Sequence, residues 1–155
     1  MTDLKSCLEE SGLSNIKTYL QTGNVTCESS QPAETIKTTT EQALAARFNY
    51  EAFVLVFTQS ELQNIVQNYP WAQTPPNTHR YAILCSDQTI QQELIDYAQS
   101  NLQPDEKVAA GKNVIYWQVP RGITLTSPFG KFLGKPKFKS TTTNRNLNTL
   151  EKMTS

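Results

Sequence analysis

Two rhythms of apolar positions run along the chain, one of helical period and one of strand period. Leu4, Cys7, Leu8 and Ser11 make one face of a helix over residues 2–11, with Thr2 or Asp3 as its cap and Gly12 able to end it. Ile16 to Leu20 alternates as a strand should, and Val25 to Glu28 is its hairpin partner. Gln21-Thr22-Gly23-Asn24 supplies the turn between them, with a glycine free to take positive φ. Ala33 to Phe48 returns to helical spacing through Ile36, Thr40, Ala43, Leu44 and Arg47, and Asn49 is a suitable stop. Ala52 to Phe57 is an almost wholly apolar run, as a buried central strand requires. Thr58-Gln59-Ser60-Glu61 then matches a capping box ahead of Leu62, Ile65, Val66 and Tyr69, and Pro70 ends that helix.

Residues 70–79 hold three prolines and form the one clear linker. Beyond it Arg80 to Cys85 reads as a strand, and Thr89 to Ser100 as a helix with Ile90, Leu94, Tyr97 and Ala98 on one face. Lys107 to Ala110 and Val114 to Val119 read as two strands joined through Gly111-Lys112-Asn113. Ser127-Pro128 opens a short helix, with proline at its favoured first position. The tail from about Asn144 is helical in pattern, carried by Leu147, Leu150 and Met153.

These strings predict an α+β protein of two halves, residues 1–69 and 80–155, either side of the 70–79 linker. Each half reads as a ferredoxin-like βαββαβ-type unit with an antiparallel sheet, and the second carries an additional C-terminal helix. The first half lacks an opening strand, which would leave a central strand with a bare edge.

Several segments bear a family resemblance. Thr18-Tyr19-Leu20-Gln21-Thr22-Gly23-Asn24-Val25 resembles the TYIQSGNV segment of the bacterial domain-of-unknown-function family 1697. Thr142-Thr143-Asn144-Arg145-Asn146-Leu147-Asn148-Thr149-Leu150 resembles that family's T-x-RNWNT signature, with Leu147 in place of the usual tryptophan. Weaker echoes are Asn68-Tyr69-Pro70-Trp71, Val114-Ile115-Tyr116 and Pro120-Arg121-Gly122. The resemblance implies a duplicated ferredoxin-like fold and no particular activity. The family's opening LLRGINVGG-like segment has no counterpart here, and Met1 falls at the start of its first helix.

Composition narrows the function classes. Thr, Gln and Asn number 19, 13 and 11, and the formal charge is zero, 14 basic against 14 acidic. That zero conceals a division: residues 1–106 hold 5 basic and 13 acidic side chains, whereas residues 107–150 hold 8 basic and no acidic ones. The anion-attracting surface therefore belongs to the final third. No apolar run is long enough to span a membrane, and Met1 to Glu10 lacks the apolar core of a signal peptide, which points to the cytoplasm. Cys7, Cys27 and Cys85 are widely spaced, no CxxC occurs and His79 is the single histidine, so no metal or cofactor is expected. The thiols read as small, partly buried apolar side chains in a reducing compartment; a thiol paired with His79 has no local motif behind it.

Three places carry candidate chemistry. In the hairpin, Tyr19, Gln21, Gly23 and Asn24 can present amide donors and acceptors to a ligand, or simply make a turn. At the expected helix start, Arg145 offers a planar fork for carboxylate or phosphate, with Asn146 and Asn148 serving either the ligand or the helix cap. Lys131-Phe132-Leu133-Gly134-Lys135-Pro136-Lys137-Phe138-Lys139 interleaves lysines with phenylalanines, either as a phosphate- and base-binding surface or as core under a solvated face. No GxSxG, GxGxxG or GxxxxGK[ST] motif is present, and no catalytic residue or enzymatic reaction is assigned. The reading that joins these signals is a small anionic ligand bound between the halves by Tyr19, Gln21, Gly23, Asn24, Lys131, Arg145, Asn146 and Asn148. The alternatives are a nucleic-acid-binding module on residues 107–150, which the acidic remainder disfavours, and a small enzyme of unassigned chemistry. The oligomeric state is left open.

Overall fold

The computed structural model describes residues 2–19 and 23–155. It is an α+β protein with a two-stranded and a four-stranded sheet, both antiparallel, as the patterning predicts. The chain divides into two compact units at Thr58/Gln59, ahead of the proline-rich segment.

The first unit holds helix α1 (Thr2–Glu10), strands β1 (Ser14–Tyr19) and β2 (Asn24–Glu28), and helix α2 (Ala33–Phe48). Leu8, Leu13 and Ile16 bury together under Val25 and Ile36; Cys7, Leu44 and Ala52 form a second small core. Asn49 ends α2 in the left-handed conformation at φ 54°, its amide bonded to Ala45 O. The strand expected over Ala52–Phe57 does not form: this stretch has no helix, strand or turn. Among the described residues it has no ladder partner, since β1 and β2 pair there with each other. Val54 satisfies its backbone through side chains instead, donating its N–H to Glu41 Oε2 at 2.8 Å and accepting from Lys37 Nζ at 2.8 Å.

In the second unit, helix α3 (Gln59–Gln67) precedes strand β3 (Thr78–Cys85), helix α4 (Gln88–Asn101), strands β4 (Lys107–Gly111) and β5 (Val114–Pro120), and helix α5 (Pro128–Leu133). A single 3₁₀ turn (Pro136–Phe138), strand β6 (Thr142–Asn146) and helix α6 (Leu147–Met153) follow. From β3 to β6 the order is βαββαβ, and the sheet runs β4-β5-β3-β6. Strand β6 corrects the expectation of a helix from Asn144. Thr142–Asn146 pairs with β3 along its whole length, Ala82 opposite Arg145 and Ile83 opposite Asn144, and the helix begins only at Leu147.

The register sorts side chains onto two faces. On one face Ile83, Cys85, Ile115, Trp117 and Val119 bury against Leu94 and Ala98 of α4 and Phe129 of α5. On the other lie Arg80, Ala82, Tyr116, Gln118 and Arg145, and Tyr116 Oη donates to Ile65 O of α3 at 2.6 Å. At the interior of the first face a buried carboxylate, Glu106, accepts from Trp117 Nε1 at 3.2 Å and from the Gln103 amide at 2.8 Å. Among the described residues no helix is long and apolar enough to cross a membrane.

Candidate functional site

Helix α5 starts where the sequence says it should. Ser127 Oγ accepts the Gly130 amide at 3.1 Å, and Pro128 fills the first turn. Gly130 is obligatory for steric reasons: a Cβ there would lie 1.8 Å from Thr124 O. This tight loop-to-helix joint seats Phe129 in the core and turns Lys131, Phe132 and Lys135 toward α4.

There Phe132 stacks on Tyr97 of α4, ring centroids 3.9 Å apart and planes within 2°. Phe138 tilts against the same ring at 5.2 Å. Tyr97, Pro128, Lys131, Phe132 and Lys135 together line a surface depression of about 360 Å³. Lys135 Nζ stands 5.0 Å from the centroid of Phe132. Lys137 lies over both phenylalanines and is held by an ion pair with Glu93 of α4. Among the described residues, Lys131 and Lys135 are the depression's only charged lining.

The same geometry accounts for the basic run's aromatics. Phe138 is fully buried, and Phe132 is covered by Tyr97 on one side and by lysines beyond it.

Within the second unit, the residues singled out from the sequence do not form one set. Lys131 belongs to the depression, on the helical side of the sheet. Arg145 lies on β6 with its side chain on the opposite face, so the sheet separates the two. Burial holds the Arg145 guanidinium below its ordinary pKa, and its Nη1 donates to Asn144 O at 3.1 Å. Asn146 caps α6 by accepting the Asn148 amide at 2.9 Å. Asn148 Oδ1 accepts from Arg80, whose Nη2 also bonds Glu151 at 2.9 Å. In the first unit Tyr19 and Asn24 face each other across β1 and β2, Asn24 is buried, and Gly23 takes φ 77° as the turn reading requires. Gln21 lies outside the described residues.

A second polar group escaped the sequence reading. Gln118, 1% exposed, donates to Tyr69 Oη at 2.7 Å and to Gln73 O at 3.2 Å, while Arg80 lies over the Tyr69 ring at 5.5 Å. These bonds fasten the proline-rich segment to the sheet. Its only sequence signal is a glutamine interrupting the apolar run of β5.

The thiols split. Cys7 and Cys85 are buried, and burial with the nearby Asp87 charge pushes Cys85 up to about 12. Cys27 is exposed, a correction to its expected partial burial. His79 stacks on Tyr81 at 5.2 Å and sits six residues along β3 from Cys85, roughly 20 Å at strand rise, so the two make no dyad. Among the described residues no three metal-ligating side chains gather.

The sequence profile of the family described as "Protein of unknown function (DUF1697)" matches residues 1–116, and the chain belongs to that family. Within the depression only Tyr97 falls in the matched span. The conserved bacterial protein SP0830 from Streptococcus pneumoniae has a similar structure, with a TM-score of 0.79 at 20% identity over 99% of this chain and 86% of that one. That likeness is one of fold. No curated protein matches the chain.

Proposed function

We propose that the second unit binds a small anionic ligand with an apolar or planar body, in the depression between α4 and α5. The supporting observation is the pairing of an aromatic floor, Tyr97 on Phe132, with Lys131 and Lys135 as the only charged lining among the described residues. A pocket of this size, mostly apolar with a few convergent polar groups, is the usual form of a small-molecule site. Lysine ammoniums act as point charges for carboxylate or phosphate, and their flexible stems let both reach one anion.

This reading narrows the eight-residue ligand set drawn from the sequence to Lys131 and adds Tyr97, Pro128, Phe132 and Lys135. Arg145, Asn146 and Asn148 then serve the second unit's own sheet and final helix. Binding alone is proposed, without a reaction: the described residues that line the depression include no thiol, imidazole or carboxylate. A thermal-shift screen of nucleoside monophosphates, aromatic carboxylates and their neutral counterparts tests it. Anions should raise the melting temperature and neutral counterparts should not. No shift with any anion, or equal shifts with both classes, rejects the reading.

A further inference from the structure

The lysines around the depression are not equally matched. Lys137 is held by Glu93 of α4, whereas neither Lys131 nor Lys135 has an ion-pair partner among the described residues. Lys131 stands in the last turn of α5. Lys135 follows Gly134, whose φ of −75° and ψ of 0° carry the chain onward, and its N–H donates to Phe132 O at 3.2 Å. Residues four apart on such a turn are neighbours, and like charges at that spacing repel. The lining thus sets two cations side by side with no anion of the protein's own to join them. At about 360 Å³ the depression is at the small end of ligand pockets, so the body it takes is compact.

We infer that the ligand is a free phosphate monoester, a dianion that engages Lys131 and Lys135 together. This rests on the anion-binding reading proposed above and narrows its ligand class. A phosphomonoester ionises a second time at about pH 6, so near neutrality it carries about −1.5 to −2 charges on three strong acceptor oxygens. That charge matches two ammoniums. A carboxylate or a phosphodiester carries a single charge, which leaves one lysine unmatched and the repulsion between the pair only partly relieved. Ammoniums bind phosphate as point charges rather than as a planar fork, so the amount of charge decides more than the shape of the anion. Lys135 Nζ, 5.0 Å from the Phe132 centroid, keeps one of the two charges beside the aromatic floor. The phosphate and the ester's apolar body are thereby served by the same few residues.

The test is calorimetric titration of the full chain with phenyl phosphate, methyl phenyl phosphate, benzoate and phenol, whose bodies are alike and whose charges differ. At about pH 7.5 phenyl phosphate should bind about fivefold more tightly than either monoanion, as one further exposed ion pair contributes, and phenol should bind least. At about pH 5 the monoester has taken up a proton, and its preference over the diester should fall away. The described residues of the lining include no imidazole or carboxylate to titrate over that range. Lys131→Gln and Lys135→Gln, both at exposed positions, should each remove the preference while the melting temperature stays unchanged. Benzoate or the diester matching phenyl phosphate, or a preference that survives at the lower pH or in both variants, overturns the monoester assignment and leaves the anion site standing. All four probes binding alike, or none binding, overturns the site and the assignment with it. A phosphotyrosine peptide that binds more tightly than phenyl phosphate places the monoester on a protein and overturns a free ligand.

Discussion

Tyr97 and Phe132 lie face to face, 3.9 Å between ring centroids and 2° between planes, joining α4 to α5 at the rim of the sheet's helical layer. Such pairs contribute about 0.5–1.5 kcal/mol beyond their buried area. Single alanine substitutions at the two positions should therefore be non-additive. A double-mutant cycle by urea unfolding should give a coupling of about 1 kcal/mol, and additive effects would show that the rings merely sit close.

Asn146 separates capping from ligand binding. Its side chain accepts the Asn148 amide at the start of α6, so Asn146→Ala should cost about 1 kcal/mol, or a few degrees of melting temperature. Asn146→Ser and Asn146→Asp retain an acceptor and should recover most of that loss. If all three substitutions leave stability unchanged, the cap has been misread.

Glu106 should be sensitive for a different reason. It is 5% exposed, and both of its carboxylate oxygens accept hydrogen bonds, one from the fully buried Trp117 indole. Glu106→Ala strands that donor in the core, at a cost of about 1–3 kcal/mol. Glu106→Gln keeps one acceptor and should fall between. Urea midpoints give the ranking, and tryptophan emission should shift with it.

Cys85 fixes a pH dependence. Its thiol rises from an ordinary value of 9.0 to about 12 in the folded protein, through burial first and Asp87 second. The folded state thus holds a proton that the unfolded state releases above pH 9. The stability linked to this group is complete below pH 9 and is lost as pH climbs from 9 toward 12. Cys85→Ala should flatten that alkaline decline in urea unfolding at stepped pH. A slope unchanged by the substitution would assign the decline to other groups. In the native protein near pH 8, alkylation should label Cys27 and spare Cys7 and Cys85.

What the chain disclosed of its fold depended on how each strand is used. Val114–Val119 is buried on both faces and therefore apolar throughout, which made β5 plain. Thr142–Asn146 is half-buried at every position on the sheet's edge and offers no alternation, so the spacing of Leu147, Leu150 and Met153 drew the predicted helix upstream over it. Ala52–Phe57 erred in the other direction: its composition is that of a strand, but a strand exists only with a partner, and partners are not written locally. The site was less legible still. Lys131 and Arg145 are 14 residues apart in a basic stretch, yet the register of β6 on β3 puts them on opposite sides of the sheet. Tyr97 read as one more core position of α4, because nothing in its own neighbourhood announces Phe132 as its partner.

Lys131 and Lys135 line the depression beside the Tyr97–Phe132 floor, and calorimetric titration measures what each contributes to anion binding. A nucleoside monophosphate that stabilises the protein should be titrated into the wild type, Lys131→Gln and Lys135→Gln, with the unphosphorylated nucleoside as control. Each substitution should weaken binding several-fold and the double variant further, the control should bind poorly to all, and wild-type affinity should fall with added salt. Equal affinity in all the variants, with melting temperatures unchanged, would contradict that contribution.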